Sequence, residues 1–278
     1  MRAIQVSCPA TVKLFYNING FDYENNKYIY TSVNQMINLY DKIVIRESHF
    51  YQKGITIKDR EHIFKNDDNV YCKTCKLFFE YTGINYKYLV VEIEKNIPIN
   101  SGFSSRNSDV IGLLYALNIF YKTNLTGKDL MKIASKIDRH APLYLYGDLS
   151  KIDMDGISPV YEHYYNDFII ALSRKKDNNN LFEDAKNVAY SKVNYDNKKI
   201  FNCLNDMMPD ELKKMRDYLL KYNEFNHGLM GMSGNYLIAF PDDKNISNLF
   251  FELNNKFPNY KLLIKTRATN YKFLRMFK

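Results

Sequence analysis

"KNIPINSGFSSRNSDVIGLLYALN", residues 95–118, decides how the chain is read, because it joins strand-like sequence to helix-like sequence through a loop of small residues. The stretch 87–99 alternates its side chains with the period of a β-strand. Apolar residues then recur at helical spacing, and we expect Ser108 to cap that helix. A strand, a small-residue loop and a helix start can bind an anion, because the first helical turn has unpaired amide groups.

The composition of the loop leaves two interpretations open. It contains one glycine, Gly102, and lacks the G-x-x-x-x-G-K-[ST] pattern, which excludes a P-loop. Arg106 supplies a fork that can pair with phosphate oxygens. The residues alone are therefore compatible with a phosphate site or with an ordinary helix cap.

Bulk composition indicates a globular protein with a substantial core. The 278 residues are 46% hydrophobic and 25% charged. The net charge of +8 fits either an anionic partner or a solvated, lysine-rich surface, and the dispersed charges favour the second. No signal sequence or membrane-spanning stretch is recognisable, so we expect a cytoplasmic protein with reduced thiols and no membrane association.

The cysteine pattern does not favour a metal site. Cys72 and Cys75 form a C-x-x-C, but no second pair follows at zinc-site spacing. We expect two cysteines in a strand.

The remaining patterns predict a mixed architecture. Strands are expected over 4–18, 39–48 and 167–174, and Thr126 with Asp129 forms a capping signature before a helix. Residues 141–147 read as a short buried strand or turn. A β-rich first part followed by mixed helices and strands is typical of an α+β protein with two subdomains.

Three segments carry a joint pattern. Residues 7–43 contain a Pro-Ala strand, a glycine and then Leu-x-Asp-x-Ile; residues 95–118 contain the loop; residues 205–240 contain Asn-Asp-x-x-Pro followed by Met-Ser-Gly. In order and spacing these segments resemble the GHMP kinases, the superfamily named for galacto-, homoserine, mevalonate and phosphomevalonate kinases. Within it they are most similar to the 4-diphosphocytidyl-2-C-methyl-D-erythritol kinases of isoprenoid precursor synthesis.

The resemblance implies a fold and a reaction. The fold would be α+β, with an N-terminal domain over 1–165 like domain 2 of ribosomal protein S5 and a ferredoxin-like C-terminal domain over 166–278. The reaction would move the γ-phosphoryl group of ATP, with Mg²⁺, onto the hydroxyl of a small-molecule alcohol. Nucleic acid is not expected as a partner, and the sequence leaves the oligomeric state open.

The resemblance also implies site residues. The ATP-binding residues would be the whole loop: Asn100, Ser101, Gly102, Phe103, Ser104, Ser105, Arg106, Asn107, Ser108 and Asp109. Substrate contacts would come from Thr11, Tyr28, Ser233 and Gly234. The resemblance assigns no protein side chain as a metal ligand.

Among the departures from the family pattern, two fall on catalytic positions. The family's catalytic lysine falls on Thr11, and its catalytic aspartate falls on His140. Lys13 lies on the same strand face as Thr11 and is the candidate replacement, although it can equally be a surface lysine. His140 can act as a base near neutral pH, with Asp138 or Asp148 orienting it, or can be a plain polar residue before a turn.

Alternatives to the kinase interpretation remain at this point. The chain can be a catalytically degenerate GHMP-fold protein that binds a ligand or partner, or a kinase for another GHMP acceptor such as mevalonate or homoserine. A nucleic-acid-binding module is a weaker third reading, based on the positive charge.

Overall fold

The computed structural model describes residues 3–22, 24, 27–49, 53–59, 62–64, 69–86, 88–99, 101–160, 167–173, 210–219, 225–230, 236–241, 246–258 and 260–269. Within these ranges the chain forms two β-sheets, each covered by helices. None of the helices in the described ranges is both long enough and apolar enough to cross a membrane.

The larger sheet is built on a long antiparallel hairpin of β1 (Ala3–Asp22) and β2 (Lys27–Glu47). The sheet has the order β4-β3-β5-β2-β6-β7, and β1 also pairs with β2. Its other strands are β3 (Gly54–Asp59), β4 (His62–Phe64), β5 (Tyr88–Glu94), β6 (Leu149–Asp153) and β7 (Gly156–Pro159).

Four helices accompany this sheet. They are α1 (Val70–Thr82), α2 (Ser105–Tyr121), α3 (Gly127–Ser135) and the single turn α4 (Leu143–Tyr146). Buried residues of α2 occur on every side of the helix, which makes α2 the central helix of the larger core. Thr126 and Asp129 form the predicted capping box at the start of α3.

The smaller sheet is antiparallel, with the order β11-β8-β10-β9. Its strands are β8 (Asp167–Ser173), β9 (Phe225–Met230), β10 (Tyr236–Pro241) and β11 (Tyr260–Arg267), and its helices are α5 (Asp210–Leu219) and α6 (Ile246–Lys256). The apolar faces of both helices pack on this sheet in a separate core.

A third apolar cluster joins the two sheets. It combines residues of β1, β2 and the loop after β5 with Ile170 of β8 and Ile238 of β10. The Thr269 amide also donates to the Met36 carbonyl oxygen at 3.0 Å. The loop before α2 therefore sits where the two layers meet.

The predicted α+β architecture is confirmed. Of the strand or turn predicted over 141–147, the structure shows the turn, because residues 143–146 form a single helical turn. One local prediction is wrong. Cys72 and Cys75 lie in α1 rather than in a strand, as buried free thiols in the larger core. The predicted domain limit at 165/166 falls within residues 161–166, which lie outside the described residues. It therefore stays a prediction.

Candidate functional site

The loop between β5 and α2 contains two residues in the left-handed conformation. Gly102 has φ 81° and Ser104 has φ 55°. Ser104 is the N-cap of α2, so the helix begins one residue later, at Ser105. The expected cap, Ser108, instead lies buried in the first turn, and its hydroxyl has no hydrogen-bond partner among the described residues.

Four main-chain amides of the loop are available to a ligand. Some loop amides are used internally: that of Ser101 donates to the Pro98 carbonyl oxygen, and that of Phe103 to the Ser101 hydroxyl. Within the described part of the chain, no acceptor contacts the remaining amides, those of Gly102, Ser104, Ser105 and Arg106. Left-handed residues followed by a helix start orient successive amides into a concave anion site, and the helix dipole adds partial positive charge.

The large side chains of the loop leave it open. Phe103 is fully buried in the cluster between the sheets, where it anchors the loop from below. Arg106 is exposed in the first turn of α2. Phe103 therefore serves packing, whereas Arg106 remains available to phosphate oxygens.

A buried ion network supports the base of the loop. The Lys95 ammonium contacts the Asp41 carboxylate, the Asp109 carboxylate at 2.7 Å and the Ser105 hydroxyl at 2.5 Å. Asp41 also accepts the amides of Asn96 at 2.7 Å and Ile97 at 2.8 Å. The network joins the second half of β2, the end of β5 and the start of α2, and so fixes where the loop begins and ends.

One ammonium serves two buried carboxylates in this network. Burial raises the pKa of Asp109 to about 6, and the neighbouring Asp41 adds to the rise against the lowering effect of Lys95. Burial opposes the charge of Lys95, but Asp109 and Asp41 outweigh it and hold the Lys95 pKa above its ordinary value. The predicted ligand residue Asp109 thus lies beneath the loop, where it also accepts the Tyr71 hydroxyl at 2.7 Å.

Thr11 and Lys13 share one face of β1, as predicted from strand alternation. Thr11 pairs with Met36 and Lys13 with Asn34, two residues apart on β2. Thr11 is buried and bonded to Tyr144 at 3.0 Å. Lys13 is only 8% exposed, and this burial lowers its pKa to about 8. Lys13 is therefore a buried lysine rather than a surface one.

His140 is held from both ring nitrogens. Its Nδ1 lies 3.5 Å from the Asp138 carboxylate, and Asp138 also accepts the His140 amide at 2.7 Å. Its Nε2 lies 2.9 Å from the Tyr30 hydroxyl and 3.1 Å from Arg139 Nε. Since a guanidinium can only donate, Nε2 is the acceptor, which assigns the ring proton to Nδ1.

The surroundings of His140 favour its neutral form. Burial lowers its pKa; Asp138 opposes that effect, while the charges of Arg139 and Lys13 reinforce it. Of these charges, that of Lys13 has the smallest effect. Asp138 is the carboxylate that orients the ring, whereas the Asp148 carboxylate accepts from Gln35.

Several site residues were missed by the sequence prediction, and others cannot be placed. The sequence prediction did not include four of them: Tyr30, Asp41, Lys95 and Tyr144. For Asp41 the signal was a carboxylate within the apolar Leu-x-Asp-x-Ile of a predicted strand. Tyr28 belongs to β2, opposite Phe21. The other predicted positions lie outside the described residues: Asn100, Ser233 and Gly234.

Comparison with a family model and with curated sequences identifies relatives. The model of the GHMP kinases N terminal domain matches residues 69–144. The 4-diphosphocytidyl-2-C-methyl-D-erythritol kinase of Clostridium tetani is 26% identical over 277 residues, covering 91% of this chain and 97% of that protein. The protein of the same name from Lachnoclostridium phytofermentans is 35% identical over 112 residues, covering 40% of this chain and 38% of that protein.

Comparison with solved structures supports the fold. The crystal structure of a 4-(cytidine 5'-diphospho)-2C-methyl-D-erythritol kinase superposes with a TM-score of 0.72 at 16% identity, covering 95% of this chain and 99% of that chain. At this identity the likeness concerns the fold alone. The GHMP kinase fold implied by the sequence motifs is thereby confirmed.

Proposed function

We propose that the chain is a kinase of the GHMP superfamily, whose N-terminal domain model matches residues 69–144, and that it transfers the γ-phosphoryl group of ATP to a hydroxyl of 4-diphosphocytidyl-2-C-methyl-D-erythritol. One observation carries the proposal: four loop amides without an acceptor among the described residues lie at the start of α2. The buried Lys13 on β1 adds a basic side chain. The names of the relatives support the acceptor.

The loop would hold the triphosphate. Amides of Gly102, Ser104, Ser105 and Arg106 would donate to phosphate oxygens, and the exposed Arg106 guanidinium would add charge. The described residues contain no group of three His, Cys, Asp or Glu side chains able to hold a metal ion. Mg²⁺ would enter bound to the phosphates of ATP, as part of the substrate.

His140 would accept the proton of the acceptor alcohol. The alcohol O–H bond breaks as its oxygen bonds to the γ-phosphorus, and the bond from that phosphorus to ADP breaks. The proton goes to His140 Nε2, whose lone pair now faces Tyr30 and Arg139, so the acceptor hydroxyl must replace one of these donors. Asp138 beside Nδ1 would stabilise the resulting imidazolium.

Lys13 would supply charge near the transferred group. Its pKa of about 8 leaves most of the population charged at pH 7. A buried ammonium acts in a low-dielectric setting, where its attraction for a developing negative charge is stronger than in water. This role matches that of the family lysine, whose position is occupied by Thr11.

A catalytically degenerate protein is the second candidate. The Thr11 side chain is engaged with Tyr144, and Nε2 of His140 already receives donors from two residues. In that case ATP would bind to the loop, but no phosphoryl transfer would occur with any acceptor.

The decisive experiment measures ADP formation by purified protein with Mg·ATP and the diphosphocytidyl alcohol, with mevalonate and homoserine as competing acceptors. His140→Gln should lower kcat by about 10²- to 10⁴-fold, the usual range for a general base. His49→Gln is the matched control, because His49 is exposed and packs on Tyr88 instead. ATP binding without turnover would select the degenerate protein, and absence of ATP binding would refute both candidates.

A further inference from the structure

Three residues form a chain of hydrogen bonds from β1 to the loop, which we call the hydroxyl clamp: Thr11, Tyr144 and Ser104. The Tyr144 hydroxyl lies 3.0 Å from the Ser104 carbonyl oxygen and 3.0 Å from the Thr11 hydroxyl. A carbonyl oxygen only accepts, so the single Tyr144 proton points to Ser104. Thr11 must then donate to the Tyr144 oxygen, and the direction of both bonds is fixed.

The clamp is shielded from water. Thr11 is 2% exposed and Tyr144 is 1% exposed. Burial raises the pKa of Tyr144 well above its ordinary value, so its hydroxyl stays protonated and remains a donor. Hydrogen bonds in such surroundings are not weakened by competition from water, and an unpaired hydroxyl there is costly.

The clamp holds a strained residue. Ser104 has φ 55°, a left-handed conformation that glycine adopts freely but that crowds the Cβ atom of serine. Its carbonyl oxygen also receives the amides of Asn107 at 3.1 Å and Ser108 at 3.3 Å, which begin α2. Rotation of this peptide unit would turn the neighbouring Ser105 amide away from the site.

We propose that Thr11 and Tyr144 are positioning residues that hold Ser104 left-handed, and so keep the loop amides open to the triphosphate in place of a loop glycine. This inference rests on the proposed function, because it assigns the triphosphate as the ligand. Thr11 therefore does not replace the family lysine in contacting substrate. It acts on the nucleotide through Tyr144.

The test is a double-substitution cycle. Tyr144→Phe and Thr11→Val each remove one hydroxyl of the clamp, and Thr11→Ser restores it as the conservative control. We expect the first two to raise the Kd for the ATP analogue AMP-PNP by about 5- to 30-fold, the range for losing one or two such bonds. The KM for the acceptor should change by less than about twofold, because the clamp contacts the loop.

Ser104→Gly separates positioning from general damage. Glycine adopts the left-handed conformation without strain, so Tyr144→Phe should change the AMP-PNP Kd by less than about twofold in that background. The inference is overturned if Tyr144→Phe raises the AMP-PNP Kd equally with serine and with glycine at position 104. It is also overturned if Tyr144→Phe alone leaves the Kd unchanged. A merely structural role for Tyr144 would not be relieved by glycine at position 104.

Urea midpoints of the same variants report on the clamp without ligand. If the wild type binds AMP-PNP, but the effects of substitutions at positions 104 and 144 on the Kd and on the urea midpoint are additive, the clamp is refuted and the proposed function stands. If the effects on the midpoint are not additive but the wild type binds no AMP-PNP, the clamp exists without its assigned ligand, and the proposed function is refuted.

Discussion

The substitution Lys95→Met tests the ion network below the loop most severely. It removes the one ammonium that both Asp41 and Asp109 contact, while the long apolar chain keeps most of the packing volume. Both carboxylate side chains are fully buried. Asp41 retains the two amide bonds from Asn96 and Ile97, whereas Asp109 retains the Tyr71 hydroxyl and a hydrogen bond with the buried Cys8 thiol.

The expected loss of unfolding free energy at pH 8 is about 3–5 kcal/mol, the cost of leaving buried charges without their partner. The deficit should shrink as the pH falls. In the wild type the pKa of Asp109 is raised to about 6, above its ordinary value of about 3.9, even though Lys95 lowers it. Without Lys95 that pKa should rise further, so the folded variant takes up the proton at a higher pH than the wild type does, and the cost of the orphaned charge disappears as the pH falls through the raised pKa.

Urea unfolding at pH 8 and pH 5 measures this, followed by circular dichroism because the chain has no tryptophan. With an m-value of about 3 kcal/mol/M, the pH 8 midpoint should fall by about 1–1.7 M. Adding Asp109→Asn to Lys95→Met removes one orphaned charge and should recover at least half of the loss. A pH 8 loss below about 1 kcal/mol, or no recovery in the double variant, would contradict the assignment of Lys95 as shared counter-ion.

Three further outcomes are expected. The kcat/KM of the wild type should fall above pH 8 as Lys13 loses its proton. Lys13→Arg should move that decline to higher pH, because a guanidinium stays charged. A decline at the same pH in the variant would show that Lys13 is not part of the site. The acid-side decline should lie below the ordinary histidine pKa of about 6.5, because burial lowers the pKa of His140, and a decline centred at or above pH 6.5, or one that persists unchanged in His140→Gln, would count against His140 as base. Phe103→Ala should cost about 3–5 kcal/mol in urea unfolding by leaving a cavity between the sheets, whereas Ile99→Ala, at a side chain that is 66% exposed, should change it by less than about 0.5 kcal/mol.

Local sequence patterns were sufficient where one element satisfied its own chemistry. The alternation over 87–99 predicted β5, and the Thr126–Asp129 signature predicted the start of α3, because a strand period and a capping box involve only near neighbours. The same reasoning placed the helix cap at Ser108. It missed Ser104 because the preference for a left-handed serine there comes from Tyr144, which lies 40 residues away.

By itself, the sequence determined the α+β class, the strand–loop–helix unit and the shared face of Thr11 and Lys13, because periodicity is a property of the local backbone. Only the tertiary structure decided that Asp109 faces Lys95, that Tyr30 reaches His140 and that Thr11 is tied to Tyr144. Those pairs join residues on different elements, and a hydrogen bond or ion pair exists only when packing brings its two atoms within about 3 Å. The chemistry of the site therefore depends on how the elements pack, which spacing along the chain does not specify.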